Sequence, residues 1–200
     1  MKMRNLRLFA LLAIIPVLYG CVAAAVGGAG TVVLVAEDRR TVGTVTEDQG
    51  IELKAANRIG DKFKDPHINI TSYNRMVLLT GEAPDAATKS EIEKIARAVE
   101  NVRGIYNEIA IAGNSSMTAR ANDGYLTSKV KARFVDQQKF NPIHVKVVTE
   151  SNVAYLLGLV KRKEAEDAVE IARTTGGVRK VVKVFEYCKP TDAACAPPAK

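Results

Sequence analysis

The 200-residue sequence contains no tryptophan, only two histidines and three cysteines, and aromatic residues make up 6%. These scarcities exclude several chemistries. His67 and His144 have no cysteine, histidine or carboxylate at a spacing that suits a metal, so each reads as a polar surface histidine. There is no Cys-x-x-Cys and no zinc-type cysteine spacing. There is no Gly-x-Ser-x-Gly and no His-Glu-x-x-His, and no serine or threonine has a histidine at triad spacing. Gly27-Gly28-Ala29-Gly30 lacks the lysine of a phosphate-binding loop. Glu91 with Glu93, and Glu164 with Glu166 and Asp167, fall on predicted helices beside lysines and read as solvated faces. The sequence therefore predicts no enzyme, no cofactor and no bound metal.

The formal charge is +7 with a pI near 9.3. Three of the positive charges, Lys2, Arg4 and Arg7, would leave with a signal peptide, so the mature chain is mildly basic along its length. That balance favours contact with anionic surfaces and does not indicate nucleic acid. The same three cations precede an apolar run from Leu8 to Val17, the arrangement of a secretory signal. Leu18-Tyr19-Gly20-Cys21 follows, with a small residue before a cysteine as lipoprotein processing requires. Cys21 is the expected lipidation site, carrying diacylglycerol and becoming the first residue. Val22 in place of aspartate favours sorting to the outer membrane. The alternative is one uncleaved membrane helix, because Leu8 to Ala36 is uncharged and long enough to span a bilayer. Pro16, Gly20, Gly27, Gly28 and Gly30 oppose it, since an interior glycine costs about 1 kcal/mol relative to alanine.

Beyond a Gly/Ala/Thr-rich stretch the pattern becomes regular. Ala55, Ile59 and Phe63 mark a helix over Ile51 to Phe63. Strands follow over His67 to Tyr73 and Met76 to Thr80, turning at Asn74-Arg75. A helix with the stripe Ile92, Ile95, Ala96 and Val99 leads to a last strand from Ile105 to Ile111. The same order recurs. Leu126, Val130 and Phe134 form a helical stripe; Val145 and Val147 alternate; Val153 to Leu157 and Val181 to Tyr187 read as strands around a helix from Glu164 to Thr174. Leu79-Thr80-Gly81 matches Leu156-Leu157-Gly158, and Ile95-Ala96-Arg97 matches Ile171-Ala172-Arg173, which identifies an internal repeat. Gly81 and Gly158 are expected to end the second strand of each copy, through positive φ or close packing of a helix. The second copy has a longer helix–strand loop, Val135 to Ile143. Each copy is roughly 60–70 residues, marginal for an independent core, so the copies are expected to pack on each other.

The fold class is therefore α+β, two tandem αββαβ domains. The expected divisions are a signal peptide over 1–20, a lipidated N-terminus and tether over 21–48, a first domain over 49–113, a linker over 114–122, a second domain over 123–188 and a disordered tail over 189–200. Cys188 and Cys195 read as an optional clip on that tail.

Two αββαβ units with these glycine-ended strands resemble BON domains. With the lipobox, Asp38-Arg39-Arg40-Thr41-Val42-Gly43-Thr44, Asp48-Gln49-Gly50-Ile51-Glu52, Val77-Leu78-Leu79-Thr80-Gly81 and Tyr106-Asn107-Glu108-Ile109, the chain resembles the dual-BON-domain outer-membrane lipoproteins. The resemblance implies a non-enzymatic protein, lipid-anchored on the periplasmic face of the outer membrane. It implies binding of anionic phospholipids such as phosphatidylglycerol and cardiolipin, a role in outer-membrane integrity, and enrichment at division sites. It assigns lipid contact to the first helix of the second domain and its exposed aromatic, here Tyr125, where relatives often carry tryptophan.

The residues themselves suit that assignment. An amphipathic aromatic beside lysines fits a headgroup layer. The candidate lipid-binding set is Tyr125, Leu126, Lys129, Ala132 and Arg133, with Lys131 flanking. Phe140, in the longer loop, either adds insertion or caps the core. The alternative function is a protein-interaction scaffold for envelope-assembly or peptidoglycan-remodelling factors, using the apolar strand edges of the first domain.

Overall fold

The computed structural model describes residues 38–64, 66–189 and 195. The expected signal peptide, Cys21 and most of the expected tether lie outside the described residues. From Arg39 onward the chain forms one compact unit.

The first helix, α1, spans Val42–Lys62. It begins nine residues before the periodic apolar stripe, within the segment expected to be tether. Local chemistry explains the early start. The Thr41 hydroxyl accepts the Thr44 N–H at 3.1 Å, satisfying one orphan donor of the first turn. Asp48, one turn before the apolar stripe, is itself buried. Its carboxylate accepts the backbone N–H of Asn74 at 2.8 Å and of Arg75 at 2.7 Å, and the Ser72 hydroxyl at 2.7 Å. Those residues turn β1 (His67–Tyr73) into β2 (Met76–Ala83), and both turn residues have positive φ.

Two short segments, β3 (Gly104–Asn107) and β4 (Ala110–Ile111), replace the single last strand expected. Both run parallel to β2, while β1 runs antiparallel to it. Between them Ile109 turns into the core, 1% exposed. The intervening helix, α2 (Ala86–Arg97), is capped by Asp85, whose carboxylate accepts the Thr88 N–H.

The second copy repeats the plan with α3 (Met117–Gln137), β5 (Val145–Glu150), β6 (Val153–Val160), α4 (Arg162–Arg173) and β7 (Lys180–Tyr187). Its hairpin uses the same device. Asp123 of α3 accepts the N–H groups of Ser151 and Asn152, each at 2.9 Å, and both turn residues again have positive φ. The loop expected from Val135 is shorter, because α3 continues to Gln137 and a 3₁₀ turn covers Pro142–His144.

Gly81 and Gly158 do not end their strands; β2 and β6 continue past them. A Cβ on Gly81 would overlap the His67 carbonyl oxygen, and one on Gly158 the His144 carbonyl oxygen. The close neighbour is thus the backbone at the start of the adjacent strand, not a helix. Gly81 also has φ +108°, a conformation that favours glycine.

Alternation along the strands builds three apolar layers. Val77 and Leu79 face α1 and α2 with Ile51, Ala55, Ile59 and Ile92. Val145, Val147 and Leu156 face α3 and α4 with Val130, Phe134 and Ile171. The opposite faces of the two sheets meet through Tyr73, Leu78, Tyr155, Leu157 and Val184. The expected packing of one copy on the other is therefore sheet against sheet, with helices outside. Polar contacts frame it. Lys146 pairs with Glu52 at 2.8 Å and Arg103 with Glu186 at 3.1 Å. Arg39 makes a bidentate pair with Glu164, at 2.6 and 2.8 Å, and donates to the Leu159 carbonyl at 2.8 Å.

At the C-terminal end, Cys188 and Cys195 are disulfide-bonded. Cys195 is buried.

Candidate functional site

Helix α3 begins at Ser116, whose hydroxyl accepts the Ala119 N–H at 3.1 Å. Its inner stripe, Leu126, Val130 and Phe134, is buried. Its outer stripe is unusual for a water-facing surface. Met117, Tyr125 and Val135 are 76%, 63% and 61% exposed, and exposed Ala121, Ser128 and Ala132 fill the positions between them. Steps of three or four residues align all six on one face, and none is charged. Lys131, also exposed, flanks the stripe. The Lys129 ammonium lies 5.9 Å from the centre of the Tyr125 ring and donates to the Gly176 carbonyl at 3.0 Å.

The candidate lipid-binding residues therefore separate. Tyr125 and Ala132 lie on the outward face and Lys129 at its margin. Leu126 faces the core and cannot touch a surface. The Arg133 guanidinium closes the end of α4, donating to the Ile171 carbonyl at 2.9 Å and to the hydroxyls of Thr174 and Thr175 at 3.1 and 2.9 Å. Phe140 packs edge-on against Phe134, ring centroids 5.0 Å apart, and so caps the core. Met117 and Val135 complete the face and were absent from the expected set. The signal was present: Ala121, Ser128 and Val135 recur every seven residues, as do Tyr125 and Ala132.

A second cluster sits where the two copies meet. His67 Nδ1 lies 3.2 Å from Glu82 Oε2 and 4.0 Å from Glu150 Oε1. The Asn69 amide donates to Glu150 at 2.7 Å, and the Ser115 N–H and hydroxyl both donate to Glu82 at 3.2 Å. Burial pushes the Glu150 carboxyl above its usual range; Asn69 and His67 oppose that rise, and the nearby Glu82 and Asp123 charges add to it. These residues line a cleft with Arg120 and Thr149. Neither histidine is the surface residue the sequence predicted. The side chains of His67 and His144 are 17% and 12% exposed, and His144 Nδ1 lies 3.8 Å from Glu164. No spacing in the sequence could reveal the His67 cluster, because hairpin pairing sets Glu82 opposite His67 and inter-domain packing brings Glu150.

Two hairpin-and-helix repeats with the same buried aspartate, the same turn and the same glycine approach define a duplicated α+β module. The BON domain family matches residues 47–113 and again 122–189, and the chain belongs to that family. Within it the chain is similar to the outer membrane lipoprotein DolP of Haemophilus influenzae, 36% identical over 173 residues, covering 85% of this chain and 90% of the relative. That match over most of both lengths places it with the dual-BON outer-membrane lipoproteins. It is also similar to a 21 kDa hemolysin of Actinobacillus pleuropneumoniae, 31% identical over 75% of this chain and 79% of the relative. The osmotically-inducible protein Y of Escherichia coli is 30% identical over 70% of this chain and 72% of its own length. Among the described residues no helix is long and apolar enough to cross a membrane.

Proposed function

We propose that the protein is a non-enzymatic lipoprotein, anchored through Cys21 on the periplasmic face of the outer membrane, that binds anionic phospholipid through α3 and supports outer-membrane integrity, including at division sites. The observation that carries this reading is the uncharged, outward stripe of α3 with Tyr125 at its centre. Such a stripe is exposed along its whole length and suits a headgroup layer, where a tyrosine ring is favourable. Lys129 and Lys131 lie beside it, and each cation near an anionic surface contributes on the order of 1 kcal/mol. The disulfide suits an oxidising compartment.

The test is vesicle binding by the unlipidated chain from residue 38 onward. Tyr125→Ala combined with Lys131→Glu is expected to weaken binding to phosphatidylglycerol or cardiolipin vesicles roughly tenfold or more. Val135→Asp should weaken it too. Unchanged binding in both variants would overturn the reading. Arg133→Ala should mainly lower stability, because its guanidinium serves α4.

A second reading has its own support. Among the described residues, strand β3 pairs only with β2, and the exposed Tyr106 and Ile111 lie on β3 and β4. An unpaired edge with apolar side chains can take an added strand, which is the geometry a protein-interaction scaffold would use. Crosslinks in cells that depend on Tyr106, with no vesicle binding in vitro, would favour it.

A further inference from the structure

We propose that His67, Glu82 and Glu150 form a site for one divalent metal ion of the zinc class, which joins the two BON repeats. One ligand atom from each residue lies within 4.8 Å of the other two. Around a tetrahedral ion with bonds of roughly 2.0–2.2 Å, ligand atoms stand about 3.4 Å apart. The 3.2 and 4.0 Å separations from His67 Nδ1 bracket that spacing, so small side-chain movements would close the polyhedron. One imidazole nitrogen with two carboxylate oxygens suits zinc and not magnesium or calcium, which take oxygen ligands alone. A fourth position would remain for water.

The surroundings point the same way. Glu82 and Glu150 are 4% and 5% exposed, and burying two carboxylates without matching positive charge is costly. Asn69 holds the Glu150 oxygen turned away from His67, the kind of support that orients ligands in metal sites, and Ser115 holds Glu82 through the same Oε2 that faces His67. Without metal, His67 Nδ1–H can donate to Glu82. Ligation takes the Nδ1 lone pair, so the neutral ring keeps its proton on Nε2 and an imidazolium releases one to solvent. Affinity therefore falls in acid. Because His67 and Glu82 belong to the first repeat and Glu150 to the second, the ion would hold the repeats together.

The experiment uses the full chain in detergent, stripped with chelator and titrated with ZnCl₂ against a chromophoric competitor, with MgCl₂ in parallel. One equivalent of zinc is expected, with no competition from magnesium at millimolar concentration. Zinc at a hundredfold excess over Kd should raise Tm by roughly 5–10 °C. His67→Ala and Glu150→Gln should each weaken zinc binding at least ~10-fold, while His144→Ala, the other histidine, should leave it unchanged. Glu150→Gln still accepts the Asn69 hydrogen bond, so it keeps the fold if His67→Ala does not. Zinc-edge X-ray absorption of the wild type should show one imidazole among oxygen ligands. Absence of stoichiometric zinc, equal competition by magnesium, binding that survives Glu150→Gln, loss of binding in His144→Ala, or sulfur in the coordination shell would each overturn the proposal.

Discussion

Three glycines make opposite predictions from the space around them. Gly81 has φ +108° and a Cβ there would strike the His67 carbonyl oxygen. Gly81→Ala should therefore destabilise the chain by more than about 2 kcal/mol in urea unfolding, and Gly158→Ala, overlapping the His144 carbonyl, should also be costly. Gly50 lies inside α1 with nothing within 4 Å of an added methyl group, so Gly50→Ala should stabilise by about 0.5–1 kcal/mol. The buried aspartates form a second residue-scale pair. Removing the Asp48 or Asp123 carboxylate leaves the N–H groups of a hairpin turn without acceptors, and Asp123→Ala is expected to cost about 2–3 kcal/mol by the same measurement. A sequence reader could see these aspartates only as polar residues at the start of a helix, because their partners lie about 26–29 positions away along the chain.

At the scale of elements, the apolar stripes were legible and the polar beginnings were not. Ile51, Ala55 and Ile59 announce the inner face of α1, yet the helix starts at Val42, because a threonine cap and one buried aspartate extend it through residues with no apolar period. Gln137 lies two residues into the stretch read as loop for the matching reason: Val135 is apolar but faces outward, so it breaks the inward pattern while continuing the helix. The outward stripe of α3 was partly legible, through Tyr125, since an aromatic followed closely by lysines stands out. Met117 and Val135 did not, because an exposed apolar residue looks in sequence like a core residue out of phase. Placing Leu126, already part of the inward stripe, and Arg133 in the lipid-contact set confused neighbours along the chain with neighbours on one face of the helix.

Across the whole molecule, the repeat was legible and its packing was not. Self-similar segments show that two copies exist; nothing local says that Leu78 and Leu157 share one apolar layer between the sheets. Truncating Leu78 to alanine should cost about 2–4 kcal/mol and should loosen both copies, so amide exchange ought to rise in β6 as well as in β2. The Cys188–Cys195 bond closes a short loop, so reducing it should cost about 2.5 kcal/mol, read as a fall in Tm. The Arg39–Glu164 pair gives the assembly a pH dependence. Burial alone would push Glu164 up, but the Arg39 guanidinium and the Lys161 N–H hold it net below its usual 4.5. A lowered carboxyl contributes its stabilisation fully above the ordinary value and loses it as pH falls through the lowered one. Arg39→Ala should therefore cost about 1–2 kcal/mol near pH 7, after allowing for solvent screening, and much less near pH 3, which thermal melts at the two pH values will show.

The Arg39 clip also decides where mechanical load enters the fold. Arg39 stands immediately before the first repeat in sequence, but its guanidinium is fastened to Leu159 and Glu164 of the second. A pull along the chain from residues ahead of it is thus resisted first by the second repeat, before α1 is stressed. The repeat that carries the outward α3 stripe would take that strain first, leaving the first repeat and its open strand edge mechanically sheltered.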